Sequence, residues 1–322
     1  MRKKVLTLVV PAILLMLACT ISIVETPPPP SGTNPARLQA TSTSAAITPA
    51  DGTGTASTQS PSQPGVTPPA GSSGIIPGSP SGPYGVILVE PNDILNLRAG
   101  PGTGFGVIST FKPDFNGIMR TGPSSQMDSD LWVEVRNPIG AIGWVNSKFL
   151  TEYVSPVVFC NDAQVPALLV DLKTALNTLN GEALADLVSP VHGLDLRFWR
   201  WGTVANYDQT EASFVFESEF EVNWGPAPGS GQDTRGTFSE IPLPKLQEVL
   251  AAGYESHCND TLDLATFSNQ PWPFEYTNIN FYNLYKPGSP GVELDWRAWL
   301  AGIEYVGGRP YLFALIHFQW EP

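Results

Sequence analysis

The chain is short of histidine, cysteine and positive charge. Its 322 residues include 3 His, 3 Cys and 17 Lys or Arg, against 30 Asp or Glu. His192, His257 and His317 stand far apart, outside the spacing of a zinc motif, so no metal site is expected. No Asp-x-Asp-x-Asp-Gly run occurs, which argues against a dedicated calcium loop. Ser189, Ser213, Ser218, Ser230 and Ser239 lie in no Gly-x-Ser-x-Gly elbow. Long apolar runs are missing except near the start, where residues 5–17 are interrupted only by Thr7 and Pro11. That run is short for a bilayer span. The net charge of −13 is one-sided: residues 156–322 hold 21 acidic and 8 basic side chains, and residues 1–155 hold 9 of each. Nucleic-acid binding needs a basic footprint, and none is present. The acidic half would be repelled by anionic lipid, and its plainest meaning is solubility. Nothing in the sequence implies a cofactor.

What is present begins with a targeting pattern. Arg2, Lys3 and Lys4 precede the apolar run, which ends at Ala18-Cys19. A basic start, a short apolar centre and a small residue before the cut describe a secretory signal, with an uncleaved anchor as the alternative. Met16-Leu17-Ala18-Cys19 further resembles the lipobox of bacterial lipoproteins. The resemblance implies removal of residues 1–18 and a diacylated Cys19 holding the mature chain to a membrane outside the cytoplasm. Residues 19–84 form the next segment, and from 26 to 83 Pro, Ser, Thr, Gly and Ala dominate, with Arg37 and Asp51 the only charges. So little large apolar surface cannot offset ordering entropy, so a disordered tether is expected. Its prolines stiffen it toward an extended form, with a reach of at most on the order of 200 Å.

With Cys19 assigned to lipid, Cys160 and Cys258 remain in one extracytoplasmic half. A disulfide is the simplest outcome there. The alternative, a nucleophilic thiol, needs an activating base. His257 adjoins Cys258, but neighbours on a strand face opposite ways.

Residues 85–155 change to short β-type runs separated by turn signals. Leu95 and Leu97 alternate with Asn96 and Arg98, as on a strand with one buried face. Five or six such strands in so short a segment are expected to close into a small barrel. Leu95-Asn96-Leu97-Arg98-Ala99-Gly100-Pro101-Gly102, the later Gly143-Trp144-Val145, and Trp132-Val133-Glu134-Val135 between them resemble the bacterial SH3 (SH3b) family. The resemblance implies an SH3-like barrel acting as a targeting module for cell-wall peptide or glycan. Phe105 in the Gly-rich loop, with Arg98 and Asn96, forms the candidate binding set. Trp132 and Trp144 read as barrel core, Arg98 also as the residue that orders its loop, and 121–130 as an insertion in a loop.

Residues 156–322 read as an acidic α+β domain. Leu168, Leu169, Leu172, Ala175, Leu176 and Leu179 recur at helical spacing over 166–179, with Gly181 ending the helix. Further helices are expected at 182–188 and 244–252, and a strand at 194–201. In 212–224 the aromatics Phe214, Phe216, Phe220 and Trp224 share one parity and Glu217, Glu219 and Glu221 the other, predicting a strand with a wet acidic face. A hairpin closes the chain, 302–306 and 310–320 around Gly307-Gly308, its last strand apolar on both faces. Leu187-Val188-Ser189-Pro190, Trp224-Gly225, Asp295-Trp296 and Tyr311-Leu312 are similar to an uncharacterised bacterial lipoprotein-associated domain, which implies no activity. A few helices followed by a curved antiparallel sheet is similar to the NTF2-like or cystatin-like cone, by analogy only.

The expected whole is multidomain: signal, tether, barrel, α+β domain. The leading function is noncatalytic binding at the cell envelope, with peptidoglycan or another envelope polymer as the barrel's partner. The alternative is an envelope hydrolase or isomerase whose catalytic unit is the C-terminal domain, with His317 and Asp295 as the acid–base candidates beside Trp199 and Trp201. A core histidine is the competing role for His317.

Overall fold

A computed structural model describes residues 82–321 apart from 200–201, 252 and 264–270. The expected signal, Cys19, nearly all of the expected tether and Trp201 lie outside the described residues. All described residues belong to one compact unit.

The first half is a curled seven-stranded sheet of antiparallel pairs. Its strands are β1 (Tyr84–Val86), β2 (Leu95–Arg98), β3 (Val107–Phe111), β4 (Asn116–Met127), β5 (Asp130–Arg136), β6 (Ile142–Asn146) and β7 (Leu150–Glu152), in the order β3-β2-β6-β5-β4-β1-β7. Val86, Leu95, Leu97, Phe111, Ile118, Val133, Val135, Val145 and Leu150 form its core. Residues 121–127 are not a loop. They continue β4, which pairs with β5 up to Met127↔Asp130 and has a bulge between Arg120 and Ser124. Asp128, with φ of 53°, makes the turn. The polar text that looked like an inserted loop is a strand with no core beneath it.

The second half is built on a curled, mostly antiparallel six-stranded sheet. Its members are β8 (Leu194–Arg197), β9 (Val204–Tyr207), β12 (Glu255–Cys258), β13 (Asn280–Lys286), β14 (Arg297–Val306) and β15 (Arg309–Gln319), ordered β12-β13-β14-β15-β8-β9. The β8–β15 pairing is parallel. A separate hairpin pairs β10 (Val222–Pro226) with β11 (Asp233–Gly236). The helices are α1 (Pro156–Cys160), α2 (Gln164–Thr178), α3 (Gly181–Ala185), α4 (Gln209–Ser213) and α5 (Pro242–Ala251). α2 buries Val165, Leu168, Leu169, Leu172, Ala175 and Leu176, the stripe its sequence spacing predicts. Leu179, at φ 54°, takes the left-handed capping position expected of Gly181. Gly181 instead opens α3, because a Cβ there would lie 1.8 Å from the Ser213 carbonyl oxygen.

The strand expected over 212–224 forms only at its end, where Val222 begins β10; residues 212–221 are helix, turn and loop. Asp208 caps α4, accepting from the Glu211 backbone N–H, while the Glu211 carboxylate accepts from the Asp208 N–H. This reciprocal box outweighs the alternation of aromatics and glutamates. Val215 is buried while Phe214 and Phe220 are exposed, against the expected alternation, whereas Trp224 is buried and Glu217, Glu219 and Glu221 are exposed as expected.

β15 lies inside the sheet and is covered on both sides, as its sequence predicts. One side packs against the helices through Leu312 and Leu315, beside Trp299 and Ala301 of β14. The other meets a second core of Tyr276, Ile279, Phe281, Phe313, Ile316 and Phe318, into which Ile87 of the first half inserts. The two halves are bonded across this junction. Leu88 N–H donates to Glu275 O, Asn278 Nδ2 to Val86 O and Phe115 O, and Asn280 Nδ2 to Val154 O. The Gly307 and Gly308 N–H groups donate to the Glu152 carboxylate. Gly85 permits the closest approach, since a Cβ there would meet the Asn278 side chain at 2.7 Å. The expected 155–156 boundary therefore separates two halves that share a core.

Cys160, ending α1, and Cys258, ending β12, form a disulfide with Cα atoms 5.8 Å apart and a sequence separation of 98. Joining residues so distant restricts the unfolded chain, which predicts a loss of about 2–5 kcal/mol on reduction. Denaturant unfolding with and without reductant measures this. A midpoint unchanged by reduction contradicts it.

Candidate functional site

The sequence-predicted binding residues of the first half converge on one outward face. Leu97, Val133, Val135 and Val145 point into the core, so Asn96, Arg98, Glu134 and Trp144 point outward. Register places Arg98 opposite Trp144, and Trp144 opposite Glu134, in one row across β2, β6 and β5. Trp144 is therefore half-buried on the outer face, not a core residue. The reason lies at Gly143. A Cβ there would come within 2.6 Å of the Arg98 carbonyl oxygen and 2.9 Å of Leu97, so the inward slot accepts only glycine. Trp132 shares the outward parity, diagonal to Trp144, but is buried.

Arg98 shapes the neighbouring loop. Its Nη1 donates to Thr103 O at 3.0 Å and Phe105 O at 2.9 Å. These charge-assisted bonds fix the loop backbone. Gly100 supplies the space: a Cβ there would lie 2.5 Å from the Phe105 ring. The ring is thus held against the backbone while remaining 46% exposed. Met127, at the tip of the β4–β5 hairpin and also exposed, approaches the same loop at Gly102. The result is a prearranged apolar platform bordered by Arg98, Trp144 and Glu134, with Thr121 Oγ1 bonded to the Glu134 carboxylate. Such a surface suits stacking on a sugar or peptide face, with polar groups to orient it.

In the second half, His317 is fully enclosed. Its ring stacks on Phe198 at 5.0 Å between centroids and contacts Trp299 at 4.9 Å and Trp199 at 5.9 Å. Nδ1 donates to Phe198 O at 3.2 Å, and Nε2 has no hydrogen-bond partner. Burial pushes its pKa down to about 3, aided by Lys245 and Arg297 and opposed by the Phe198 bond. The neutral ring is therefore the stable form at neutral pH. Asp295 does not join it. Ser289 donates to both Asp295 oxygens, from N at 2.6 Å and Oγ at 2.8 Å. Those bonds hold its carboxyl below the usual range. Trp199 does reach His317, but its Nε1 is engaged by Thr234 Oγ1.

A buried polar group that sequence reading passed over joins Ser189, His192 and Glu304. Ser189 Oγ donates to Glu304 Oε2, His192 Nδ1 lies 2.7 Å from Glu304 Oε1, and His192 Nε2 lies 3.1 Å from Lys148 O. The residue types suggest nucleophilic chemistry, but the order is wrong for it. The hydroxyl faces the carboxylate instead of the imidazole, and both ring nitrogens are already occupied. Ser189 Oγ also accepts from the Val191 and His192 N–H groups. The cluster is a structural link from β14 to the 147–149 turn of the first half. Only the Ser189–His192 spacing was visible in sequence; Glu304 is more than a hundred residues away. Among the described residues, no group of three or more His, Cys, Asp or Glu side chains is arranged to hold a metal.

In comparisons with known proteins, the chain matches no family model, no curated protein and no solved structure.

Proposed function

We propose that this protein is a lipid-anchored envelope lipoprotein that binds cell-wall peptide or glycan without chemistry. Cys19 is the lipid attachment point, the Pro/Ser/Thr/Gly-rich segment is the tether, and the first half is an SH3b-type barrel that makes the contact. The second half is read as a cone of the NTF2-like or cystatin-like kind serving as the barrel's rigid base. The observation that carries the binding role is Phe105, exposed yet immobilised by Gly100 and by the two Arg98 bonds. A side chain held in place before contact loses little entropy on binding, which favours affinity. The hydrolase or isomerase reading is weakened because Asp295 and His317 are separately engaged.

Two experiments test this reading. In a pelleting assay with purified peptidoglycan, Phe105→Ala should weaken binding at least about tenfold, in line with loss of one aromatic hot spot. Its unfolding midpoint should stay near wild type. Unchanged pelleting contradicts the role assigned to Phe105. Separately, Cys19→Ala should abolish incorporation of labelled fatty acid in the producing bacterium. Labelling at the wild-type level contradicts the anchor.

A further inference from the structure

Trp144 stands between two side chains of opposite charge. Cross-strand register puts Arg98 of β2 on one side of it and Glu134 of β5 on the other. Directly opposed residues on one face bring their Cβ atoms to about 5 Å, so both charges lie within reach of the indole. They do not meet each other. Among the described residues of the first half, the one ion pair joins Lys148 to Asp130, at 3.7 Å. Arg98 is drawn the other way, its Nη1 bonded to the Thr103 and Phe105 carbonyl oxygens. The Glu134 carboxylate accepts from the Thr121 hydroxyl through Oε1, which orients it. Its Oε2 carries no hydrogen bond among the described residues. Arg98, Trp144 and Glu134 are all partly exposed, on the outward face of the sheet.

A carboxylate beside an aromatic ring, with the nearby guanidinium tied elsewhere, is an arrangement that holds a cation. The carboxylate supplies a charge-assisted acceptor and the ring face a second attraction. Resting on the wall-binding reading above, we propose that Glu134 and Trp144 bind a primary ammonium group, so that the ligand of this surface is a peptide with a free amine. Thr121 already takes one carboxylate oxygen. The oxygen that remains suffices for an ammonium, whereas a guanidinium fork uses both. An N-acetylated sugar carries no cation and gains nothing from Glu134. Arg98 repels a cation at its own end of the row, which fixes the direction of the ligand. The amine lies at Glu134, and the uncharged body runs toward Arg98 and the exposed Phe105 ring. No enclosed cavity is required, because the whole row faces outward.

The test titrates the full chain with two peptides that differ at one end, triglycine amide and N-acetyl-triglycine amide. Binding is followed by the indole N–H signal of Trp144 in heteronuclear NMR. At about pH 6.5 the free amine is charged, its ordinary pKa being about 8. Triglycine amide should shift the signal saturably, and the acetylated peptide should bind at least about tenfold more weakly, the scale of one lost charge-assisted bond. Glu134→Gln still accepts from Thr121 but carries no charge, and it should bind both peptides equally weakly. In the pelleting assay, acetylating peptidoglycan with acetic anhydride should weaken wild-type binding and leave Glu134→Gln binding unchanged. No saturable shift with triglycine amide, equal affinity for the two peptides in wild type, or a preference for the amine that survives in Glu134→Gln overturns the proposal. Pelleting that depends on Phe105 but is indifferent to acetylation keeps the wall-binding reading and discards the ammonium site. Should wild type pellet with no wall at all, that reading fails, and the two peptides still decide whether the ammonium site exists.

Discussion

Ile87→Asp should unfold both halves of the described structure together. Ile87 belongs to the first half by sequence, but its fully buried side chain sits in the core built by Tyr276, Ile279, Phe313 and Ile316 of the second. Leu88 follows in a left-handed conformation, φ 57°, and its N–H is tied to Glu275 O. A non-glycine residue holds that conformation at a cost of about 1–2 kcal/mol, which the junction must supply. A carboxylate at position 87 would meet no charge partner in that core and should cost more than about 4 kcal/mol. Ile87→Ala should cost about 2–5 kcal/mol through the cavity it leaves. Denaturant unfolding followed by near-ultraviolet signals and by protection of amides in β5 and in β14 should show one coincident transition. Two separate transitions, with β14 unaffected by Ile87→Asp, would contradict the shared core. The same reasoning predicts that residues 85–153 expressed alone expose Ile87 and lose the Asn278 and Glu275 bonds, so binding experiments belong on the joined halves.

Acid should weaken the fold through His317. The sign follows from proton uptake. Unfolded, the imidazole binds a proton below its ordinary pKa of 6.5; folded, it refuses one until about pH 3. Between those values the unfolded chain holds more protons, so stability falls as pH falls. The full window amounts to about 5 kcal/mol, at about 1.4 kcal/mol for each pH unit. His317→Phe keeps a ring against Phe198 but cannot take up a proton. Its stability should therefore decline less steeply from pH 6 to pH 4, by up to about one proton in the slope. Parallel pH–stability curves for wild type and His317→Phe would contradict this account.

The parts of the fold written as local pattern were legible. Helix α2 appeared in its leucine spacing, the β14–β15 hairpin in Gly307-Gly308, and the burial of β15 in its two apolar faces. Three features were hidden because they depend on distant partners or on competition between local signals. In 212–221 the helix begun by the Asp208–Glu211 box replaces a strand-like alternation. Trp144 reads as core in the sequence, whereas the tight contact at Gly143 puts Trp144 on the outward face. Gly181 resembled a helix stop, but its requirement comes from Ser213, which no local reading of the helix reveals. Phe105 and Arg98 were legible as a loop aromatic and a loop-ordering cation, and the two bonds to Thr103 and Phe105 carbonyls supply the geometry. The Ser189–His192–Glu304 link was not legible, since it assembles from segments far apart in the chain.

Amide hydrogen exchange across the full chain, with and without soluble peptidoglycan fragments, tests the central claim most directly. Wall binding through the Arg98–Phe105 platform predicts added protection at residues 98–106 and 142–146, with Phe105→Ala abolishing it. Protection confined to the second half, or unchanged by Phe105→Ala, would contradict the account.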